Sequence, residues 1–269
     1  MTFQELSRVL QPFGLDPFCV GKKFLIFNLV SKNLKVKYRK SALGALWTLL
    51  VPIAMALVYY FVFKVILKVQ LPHYLAFIVT GIFIWNFVAM TLLEGMESIV
   101  GNWGLLSKVP IPTQIFPYVG ALTNLVNLAI SFPILIAVSL LSGVPLGPSL
   151  ILIPFLFINL FLITYSLSLT FAIVFVYLRD LRHIMGIIIQ LWFYATPVIY
   201  NESMIPPKYT WILYLNPYSA LIISFHRILV DGKWPNPSEI ITIAMWSFIT
   251  FFFSLMIQKF LGQQLIEKI

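Results

Sequence analysis

The stretch Lys32-Asn-Leu-Lys-Val-Lys-Tyr-Arg-Lys-Ser-Ala-Leu-Gly-Ala-Leu-Trp47 decides the fold, because a basic segment continues without a linker into a long uncharged one. From Ser41 to Phe63 there are 23 residues without Asp, Glu, Lys or Arg. A helix of that length crosses the ~30 Å hydrocarbon core of a bilayer. The pattern therefore predicts a chain that lies along a membrane surface, turns at Leu43-Gly44 and enters the bilayer.

The composition indicates a polytopic membrane protein. The 269 residues are 60% hydrophobic and only 10% charged, whereas soluble domains average about 25% charged residues. The net charge of +9 is concentrated at the N-terminus, which indicates a cytoplasmic segment beside anionic lipid rather than a nucleic-acid-binding surface. The single cysteine, Cys19, excludes an internal disulfide framework, and residues 1–21 lack the long apolar core of a signal peptide.

Long uncharged runs divide the chain into membrane spans. The longest, Val109–Leu178, is too long for one helix, and the turn-forming stretch Ser142–Ser149 breaks it in two. We predict an all-α fold in one transmembrane domain, residues 1–269, with a cytoplasmic N-terminus (1–42), a six-helix membrane domain (43–258) and a cytoplasmic tail (259–269). The six predicted spans are 43–66, 74–93, 117–141, 150–177, 183–200 and 239–258.

The positive-inside rule sets the predicted orientation. With the N-terminus in the cytoplasm, 13 of the 18 Lys and Arg residues lie in inner segments. Both termini are then cytoplasmic.

The basic N-terminal segment is predicted to form an amphipathic interface helix. Phe24, Phe27, Ser31, Leu34 and Tyr38 recur at a spacing of three to four residues and so share one helical face. Ile26, Leu29 and Val36 fall outside that face and blur the pattern. The alternative is a positive-inside topology signal with no further role.

Residues 209–226, between the fifth and sixth spans, are too apolar for a free loop, and Asn216-Pro217 interrupts any helix there. Two half-helices that dip into the outer leaflet and return fit this pattern. Because broken backbone at membrane depth needs protein or water beside it, the hairpin is predicted to line the outer mouth of a pathway. The alternative is an interfacial hairpin that caps the bundle.

Several kinds of chemistry are missing from the sequence. No carboxylate falls in the middle of a predicted span, where ion-coupled carriers place one; Glu94 and Glu97 fall at the inner end of the second span. No P-loop is present, so an ATP-driven mechanism would need another chain as the ATPase. The two halves do not repeat each other. Six spans are too few to enclose a wide pore, which favours a homodimer with twelve.

Five segments in order resemble the permease subunit of ABC-2-type polysaccharide exporters, the O-antigen and teichoic-acid exporters. The resemblance covers nearly the whole chain, is specific for the family and says little about the cargo. The five segments are Tyr38–Trp47 with Pro52, Asn102–Pro110, Tyr177–His183, Thr196–Tyr200, and Leu215-Asn-Pro217 with Arg227.

The resemblance implies a homodimeric channel in the bacterial inner membrane, with two ABC ATPase subunits docked below. ATP and Mg would then be bound by the ATPase, and no cofactor by this chain. The cargo would be an undecaprenyl-diphosphate-linked, O-antigen-like polysaccharide. Asn102, Lys108, Pro110, Arg179 and Asp180 would couple the permease to the ATPase. The outer gate would contain Asn216, Pro217 and Arg227.

Two further sets of residues are predicted to contact the cargo. Arg39 and Lys40, beside Leu43 and Gly44, are positioned to bind a diphosphate headgroup at the cytoplasmic entrance. Aromatic side chains in the channel could also contact the cargo, because sugar rings bind aromatic faces. For each of them the alternative role is lipid-facing packing or an interfacial belt, where Tyr and Trp are enriched. The candidate channel aromatics are Tyr59, Tyr60, Trp85, Phe193, Tyr194 and Tyr200.

The sequence therefore predicts a non-enzymatic permease, with three rivals. The same architecture could carry a capsular polymer, a teichoic acid or a drug. A membrane-embedded lipid-modifying enzyme is disfavoured because no set of acid, base or metal ligands clusters in the sequence. An ion-coupled carrier is disfavoured by the lack of a mid-span carboxylate.

Overall fold

The computed structural model describes residues 20–39, 43–109 and 111–262, and every regular element within these ranges is helical. Short 3-10 turns separate several of the helices. The α-helices are α1 (Lys23–Tyr38), α2 (Trp47–Tyr60, continuing as the π-helical segment Phe61–Ile66), α3 (Tyr74–Gly101), α4 (Trp103–Leu106), α5 (Ile115–Leu141), α6 (Ile153–Tyr177, preceded by the 3-10 helix Pro148–Leu152), α7 (Leu181–Ala195), α8 (Trp211–Leu215), α9 (Ser219–Leu229) and α10 (Pro237–Leu261).

Five helices among the described residues are long and apolar enough to cross a membrane. They correspond to five of the six predicted spans: Trp47–Ile66, Tyr74–Gly101, Ile115–Leu141, Pro148–Tyr177 and Pro237–Leu261. The remaining predicted span, 183–200, corresponds to α7, which has 15 residues. At 1.5 Å per residue α7 is about 22 Å long, which is short of the ~30 Å hydrocarbon core. A sixth crossing therefore stays a prediction.

The helix ends follow from local sequence. A capping box begins α10: the Asn236 side chain accepts a hydrogen bond from the backbone N–H of Glu239, and the Glu239 carboxylate accepts one from the backbone N–H of Asn236. Pro237 is the first helical residue. Gly143, with a φ of 79°, adopts the left-handed conformation that ends α5 and opens the turn to α6. This confirms the predicted break within the longest uncharged run.

Helix α3 is the centre of the bundle. In its most apolar window 78% of the residues are buried, against 11% for the α2 span. Helices α2, α5, α6, α7 and α9 all pack around it. The helix also runs eight residues beyond the predicted span end at residue 93, so Glu94 and Glu97 lie within the helix and not after it.

The bundle has two distinguishable ends. We call the end that carries α1 and the α6–α7 turn the basic end, where Arg182 of α7 pairs with Glu97 of α3 at 3.0 Å. We call the other the loop end, where the His73 ring contacts the Ser142 carbonyl oxygen and Gly232 packs on Pro145. These contacts place the 67–73, 142–149 and 230–236 connections together.

Helix α1 is held to the bundle by residues that the sequence pattern did not single out. Ile26 and Leu29 are buried against Ile115, Phe116 and Val119 at the start of α5. Phe24 and Phe27, on the predicted apolar face, are 81% and 71% exposed. The N-terminal part of the predicted face therefore points away from the protein, whereas Tyr38 at its other end contacts α5. The packing face contains Ile26 and Leu29, two of the residues that blur the pattern, while Val36 is 60% exposed.

Helices α3 and α6 approach closely through small residues. A Cβ atom at Gly95 would collide with the Ser168 side chain, whose hydroxyl donates to the Thr91 carbonyl oxygen at 3.3 Å. Without a strong hydrophobic force between helices in lipid, such close backbone packing supplies much of the association energy.

Gly95→Ala is therefore expected to destabilise the protein by about 1–3 kcal/mol, because the added methyl group overpacks the α3–α6 contact. The matched control is Gly120→Ala in α5, since a Cβ there meets nothing within 4 Å. Thermal unfolding in detergent should show a lower midpoint for Gly95→Ala alone, with partial recovery in the double variant Gly95→Ala/Ser168→Gly. Equal midpoints for the two single variants would contradict the close approach.

Candidate functional site

A partly exposed polar network joins α1 to α3 and α5. Lys37 Nζ lies 2.8 Å from Glu94 Oε1 and 3.3 Å from Asn124 Oδ1. The Asn124 amide group donates to Glu94 Oε2 at 3.0 Å. The lysine, the carboxylate and the amide of α1, α3 and α5 thus form a closed ring of contacts. Because the charges neutralise each other, Glu94 is accommodated in an otherwise apolar helix.

A cleft of about 340 Å³, which we call the amide cleft, opens above this network, between α2 and α5 and across α3. Three asparagine side chains line it together with aromatic rings, and it extends from the Gly44 turn up to Phe83 of α3. Its lining residues are Lys37, Tyr38, Gly44, Trp47, Thr48, Val51, Pro52, Phe83, Asn86, Phe87, Met90, Asn124, Asn127, Leu128 and Ser131.

Tyr38 closes the basic end of the amide cleft. Its hydroxyl donates to Asn127 Oδ1 at 2.9 Å. Burial above all raises the pKa of this phenol, so the hydroxyl remains a protonated donor at neutral pH.

A second cleft of about 380 Å³ lies on the other side of Lys37, between α1, α3 and α5, and includes Lys32, Glu94 and Asn102. A shallower groove on α1 contains Lys32, Lys35 and Arg39. The predicted headgroup residues are therefore not gathered in one pocket. Arg39 lies in the shallow groove, Gly44 in the amide cleft, and Leu43 is exposed. Lys40 lies outside the described residues.

Most of the predicted channel aromatics form one cluster between α2 and α7. The Phe193 ring lies 5.7 Å from Tyr59, 5.8 Å from Trp85 and 5.2 Å from Tyr194, measured between ring centroids. The Tyr200 hydroxyl donates to the Tyr194 carbonyl oxygen at 3.1 Å. Trp85 is 7% exposed and belongs to the core, whereas Tyr194 is 52% exposed.

Tyr60 does not join this cluster. Its ring packs against Tyr74 with centroids 6.3 Å apart.

The predicted coupling residues lie at the basic end. Asn102 caps α3, where its side-chain amide donates to the Ser98 carbonyl oxygen at 2.8 Å, and the short helix α4 follows. Lys108 is exposed, and Pro110 lies outside the described residues. Arg179 and Asp180 are both exposed in the α6–α7 turn, with the Arg179 guanidinium 5.5 Å from the centre of the Phe175 ring.

Asn216 joins α7 to the helical hairpin formed by α8 and α9. Its Oδ1 accepts from Trp192 Nε1 at 2.9 Å and from the Tyr218 backbone at 3.0 Å. Its amide group donates to the Thr196 hydroxyl at 2.8 Å and to the Ala195 carbonyl oxygen at 3.2 Å. Every hydrogen-bonding position of the side chain is used, so Asn216 fixes the hairpin turn against the end of α7.

The hairpin turn lies deep within the bundle. Pro217 is buried, and the next residue, Tyr218, packs edge-on against Trp85, with ring centroids 6.1 Å apart. Trp85 is about 16 Å along α3 from its loop end, at 1.5 Å per residue. From there α9 rises to the loop end, where His226 stacks on Phe77.

Arg227 lies at the opposite end of α9 from Asn216. Its guanidinium contacts Glu202 Oε1 at 2.6 Å and Glu239 Oε1 at 2.7 Å, so it bridges the α7–α8 connection to α10. The other Glu239 oxygen accepts from Ser224 and from the Asn236 backbone. The three predicted gate residues therefore form two separate attachments, one at each end of α9.

The pKa of Glu202 is raised, chiefly because the carboxyl group is buried. The positive charge of Arg227 acts to lower this pKa, and the negative charges of Glu239 and Asp231 act to raise it further. The native state therefore holds this proton more tightly than the unfolded chain does. The resulting stability is present below the unfolded pKa and is lost as the pH rises through the folded pKa.

Sequence reasoning missed the partners in these networks. The positive-inside rule treats Lys37 and Arg182 only as topology signals, and the sequence patterns assign no role to Asn86, Asn124 or Asn127. A signal was present: amides and a carboxylate are rare in apolar helices and mark functional or paired positions. Which residues they contact could not be read from spacing, since Lys37 and Glu94 are 57 positions apart.

The five long apolar helices among the described residues define a multi-pass membrane protein. The family model for the ABC-2 type transporter matches residues 25–230, and the chain belongs to that family. It is 31% identical over 211 residues to an O-antigen export system permease protein RfbA of Klebsiella pneumoniae, which covers 77% of this chain and 81% of the relative. A permease of the same name from Myxococcus xanthus is 32% identical over 229 residues, covering 84% of this chain and 87% of the relative.

We expect Asn216→Ala to lower the free energy of unfolding by about 2–4 kcal/mol, because several hydrogen bonds worth about 1 kcal/mol each are lost and a buried indole N–H is orphaned. Asn201→Ala is the matched control, since the Asn201 side chain accepts only from the exposed Ser203 backbone. Thermal unfolding in detergent measures both. A loss no larger than that of the control would show that Asn216 does not fix the hairpin.

Glu202→Gln mimics the protonated carboxyl group at every pH. We expect it to match the unaltered protein in thermal stability near pH 4, about the pKa of an unfolded Glu, and to exceed it near pH 8. Melting midpoints across this pH range provide the measurement. A less stable Glu202→Gln at the higher pH would mean that the Arg227 ion pair outweighs the burial of the carboxylate.

Proposed function

We propose that this chain is the permease subunit of an ATP-driven ABC exporter that moves a lipid-linked, O-antigen-like polysaccharide across the bacterial inner membrane. The observation that carries the proposal is the similarity of the chain, over most of its length, to O-antigen export permeases. The polar clefts at the basic end support it, since a cargo with a hydrophilic head needs polar groups where it leaves the cytoplasm. The carrier lipid in this proposal is undecaprenyl diphosphate.

In this proposal the basic end faces the cytoplasm and both termini lie there. Arg39 and the exposed lysines of α1 meet anionic lipid and the diphosphate headgroup. Asn102, Lys108, Arg179 and Asp180 contact a separate ATPase subunit, which binds ATP and Mg. No nucleic acid and no cofactor of the chain's own are involved.

Two copies of the chain form the channel, with two ATPase subunits. Helix α2 and the exposed apolar face of α7, which includes Ile187 and Leu191, are largely uncovered in a single chain. These surfaces lie on either side of the aromatic cluster of Tyr59, Phe193, Tyr194 and Tyr200. A second copy would enclose that cluster in a channel, where aromatic faces give weak contacts that any sugar can make.

The hairpin of α8 and α9 re-enters the membrane from the loop end and forms the outer gate. Its turn at Asn216-Pro217 is surrounded by protein, which satisfies the requirement for irregular backbone at membrane depth. Arg227 then acts as a clasp that holds the hairpin closed against α10.

Purification of the chain from its native host in mild detergent tests the assignment. We expect a P-loop ATPase to co-purify in a one-to-one ratio and to be stimulated by the lipid-linked polymer of that host. A homogeneous chain without an ATPase, under conditions that preserve other ABC complexes, would contradict the mechanism.

Surface polysaccharide in the host gives a second readout. Arg39→Glu should lower the amount of exported polymer several-fold while leaving membrane insertion unchanged, because it repels the diphosphate. Lys208→Glu, an equal charge reversal at the loop end, should leave export unchanged. Equal export by both variants would remove Arg39 from the headgroup site.

A further inference from the structure

Asn86 is a polar side chain near the middle of the most buried helix. It lies on α3, is half-buried, lines the amide cleft and makes no hydrogen bond to any described residue. Polar side chains at such depth in an apolar helix mark functional positions. The donors and acceptors of the Asn86 amide are therefore available to a molecule that enters the cleft.

Asn127 and Ser131, one turn apart on α5, face the same cleft. Asn127 Oδ1 accepts from Tyr38, while its amide N–H groups have no acceptor in the part of the chain that the structure describes. Ser131 donates its hydroxyl hydrogen to the Asn127 carbonyl oxygen at 2.8 Å, which leaves the oxygen lone pairs able to accept. Both residues have hydrogen-bonding capacity directed at an occupant.

Asn124 differs from these two residues. Its oxygen accepts from Lys37 and its amide group donates to Glu94, so it belongs to the ion-pair network. The unused capacity is thus confined to the upper part of the cleft.

The lining indicates which chemistry fits. Lys37 is its one cation among the described residues, and Glu94 already neutralises it, so nothing there favours a diphosphate. Amides bind hydroxyl groups as both donors and acceptors. Trp47, which is 50% exposed, offers a flat apolar face beside them, whereas Phe83 is buried at the far end of the cleft. Neutral hydrogen-bonding groups next to aromatic faces suit a sugar ring, which has hydroxyl edges and apolar faces.

The size and position of the cleft agree with this. Its volume of about 340 Å³ is within the range of small-molecule sites and has room for a sugar residue. It begins at Gly44, beside the turn where the chain enters the membrane, and extends along α3 from Met90 to Phe83, about 10 Å.

We propose that the amide cleft binds a sugar residue of the lipid-linked cargo, with Asn86 and Asn127 hydrogen-bonded to its hydroxyl groups. The proposal rests on the proposed function and adds a sugar-reading site that is separate from the basic headgroup residues and from the aromatic cluster. The site selects for a saccharide beside the lipid carrier rather than for the carrier itself.

The test uses the complex of this chain with its ATPase, reconstituted in lipid. Two probes are compared: undecaprenyl diphosphate bearing a short oligosaccharide of the host polymer, and undecaprenyl diphosphate alone. For Asn86→Leu and Asn127→Leu, we expect the concentration of the saccharide probe that half-maximally stimulates ATP hydrolysis to rise about tenfold. The response to the bare lipid should not change.

Ser139→Ala serves as the control on α5, because the Ser139 hydroxyl bonds only to its own helix, at the Leu135 carbonyl oxygen, and does not line the cleft. Unchanged responses to both probes in the two Leu variants would overturn the proposal and leave ordered water as the partner of Asn86. Equal weakening with both probes would also overturn it, since the cleft would then bind the carrier headgroup.

A second measurement does not depend on the Leu variants folding. In a Cys19→Ser background, Val51→Cys, at a position that lines the cleft and is 50% exposed, should react with a soluble maleimide. The saccharide probe should slow that reaction while the bare lipid does not. No protection would contradict a bound sugar. If the saccharide probe does not stimulate ATP hydrolysis by the unaltered complex, that result would contradict the proposed function and, with it, this inference.

Discussion

The burial of α3 is the constraint on which the rest of the structure depends. Five other helices pack around it, and its carboxylates Glu94 and Glu97 fix neighbouring segments to it. Glu94 is satisfied by Lys37 of α1 and Asn124 of α5, which ties the N-terminal helix to the membrane domain. Glu97 forms an ion pair with Arg182, and this pair links α7 to the same helix. Asn86 is left for an occupant of the amide cleft.

The same helix organises the opposite half of the molecule. Val198, in the segment after α7, packs against Gly81 of α3. Tyr218, in the hairpin turn, packs against Trp85 of the same helix. Asn216 links those two segments, and Arg227 fixes the far end of α9 to α10. Helix α7 therefore contacts α3 at the basic end and Asn216 of the hairpin at its other end. In the proposed exporter these contacts connect the ATPase side to the outer gate.

Much of the fold could be predicted from composition and breaks alone. Uncharged runs located five of the candidate spans, and the Ser142–Ser149 turn and Asn216-Pro217 interruption were recognised because Gly and Pro restrict the backbone locally. The family resemblance, carried by short motifs, is confirmed by the match to residues 25–230. The candidate site was predicted less well: the headgroup residues lie apart, Trp85 is in the core, and the packing face of α1 is the one that the periodicity did not favour.

The sequence by itself determined that the chain lies in a membrane, where its long apolar helices are interrupted, and which family it resembles, because hydropathy, charge and turn chemistry act over short distances along the chain. Only the tertiary structure decided which polar residues meet. Lys37 with Glu94, Tyr38 with Asn127 and Arg227 with Glu202 are pairs distant in sequence, and in an apolar bundle each depends on how the helices rotate and pack against α3. That rotation also leaves Asn86 facing an open cleft, a property that no local pattern contains.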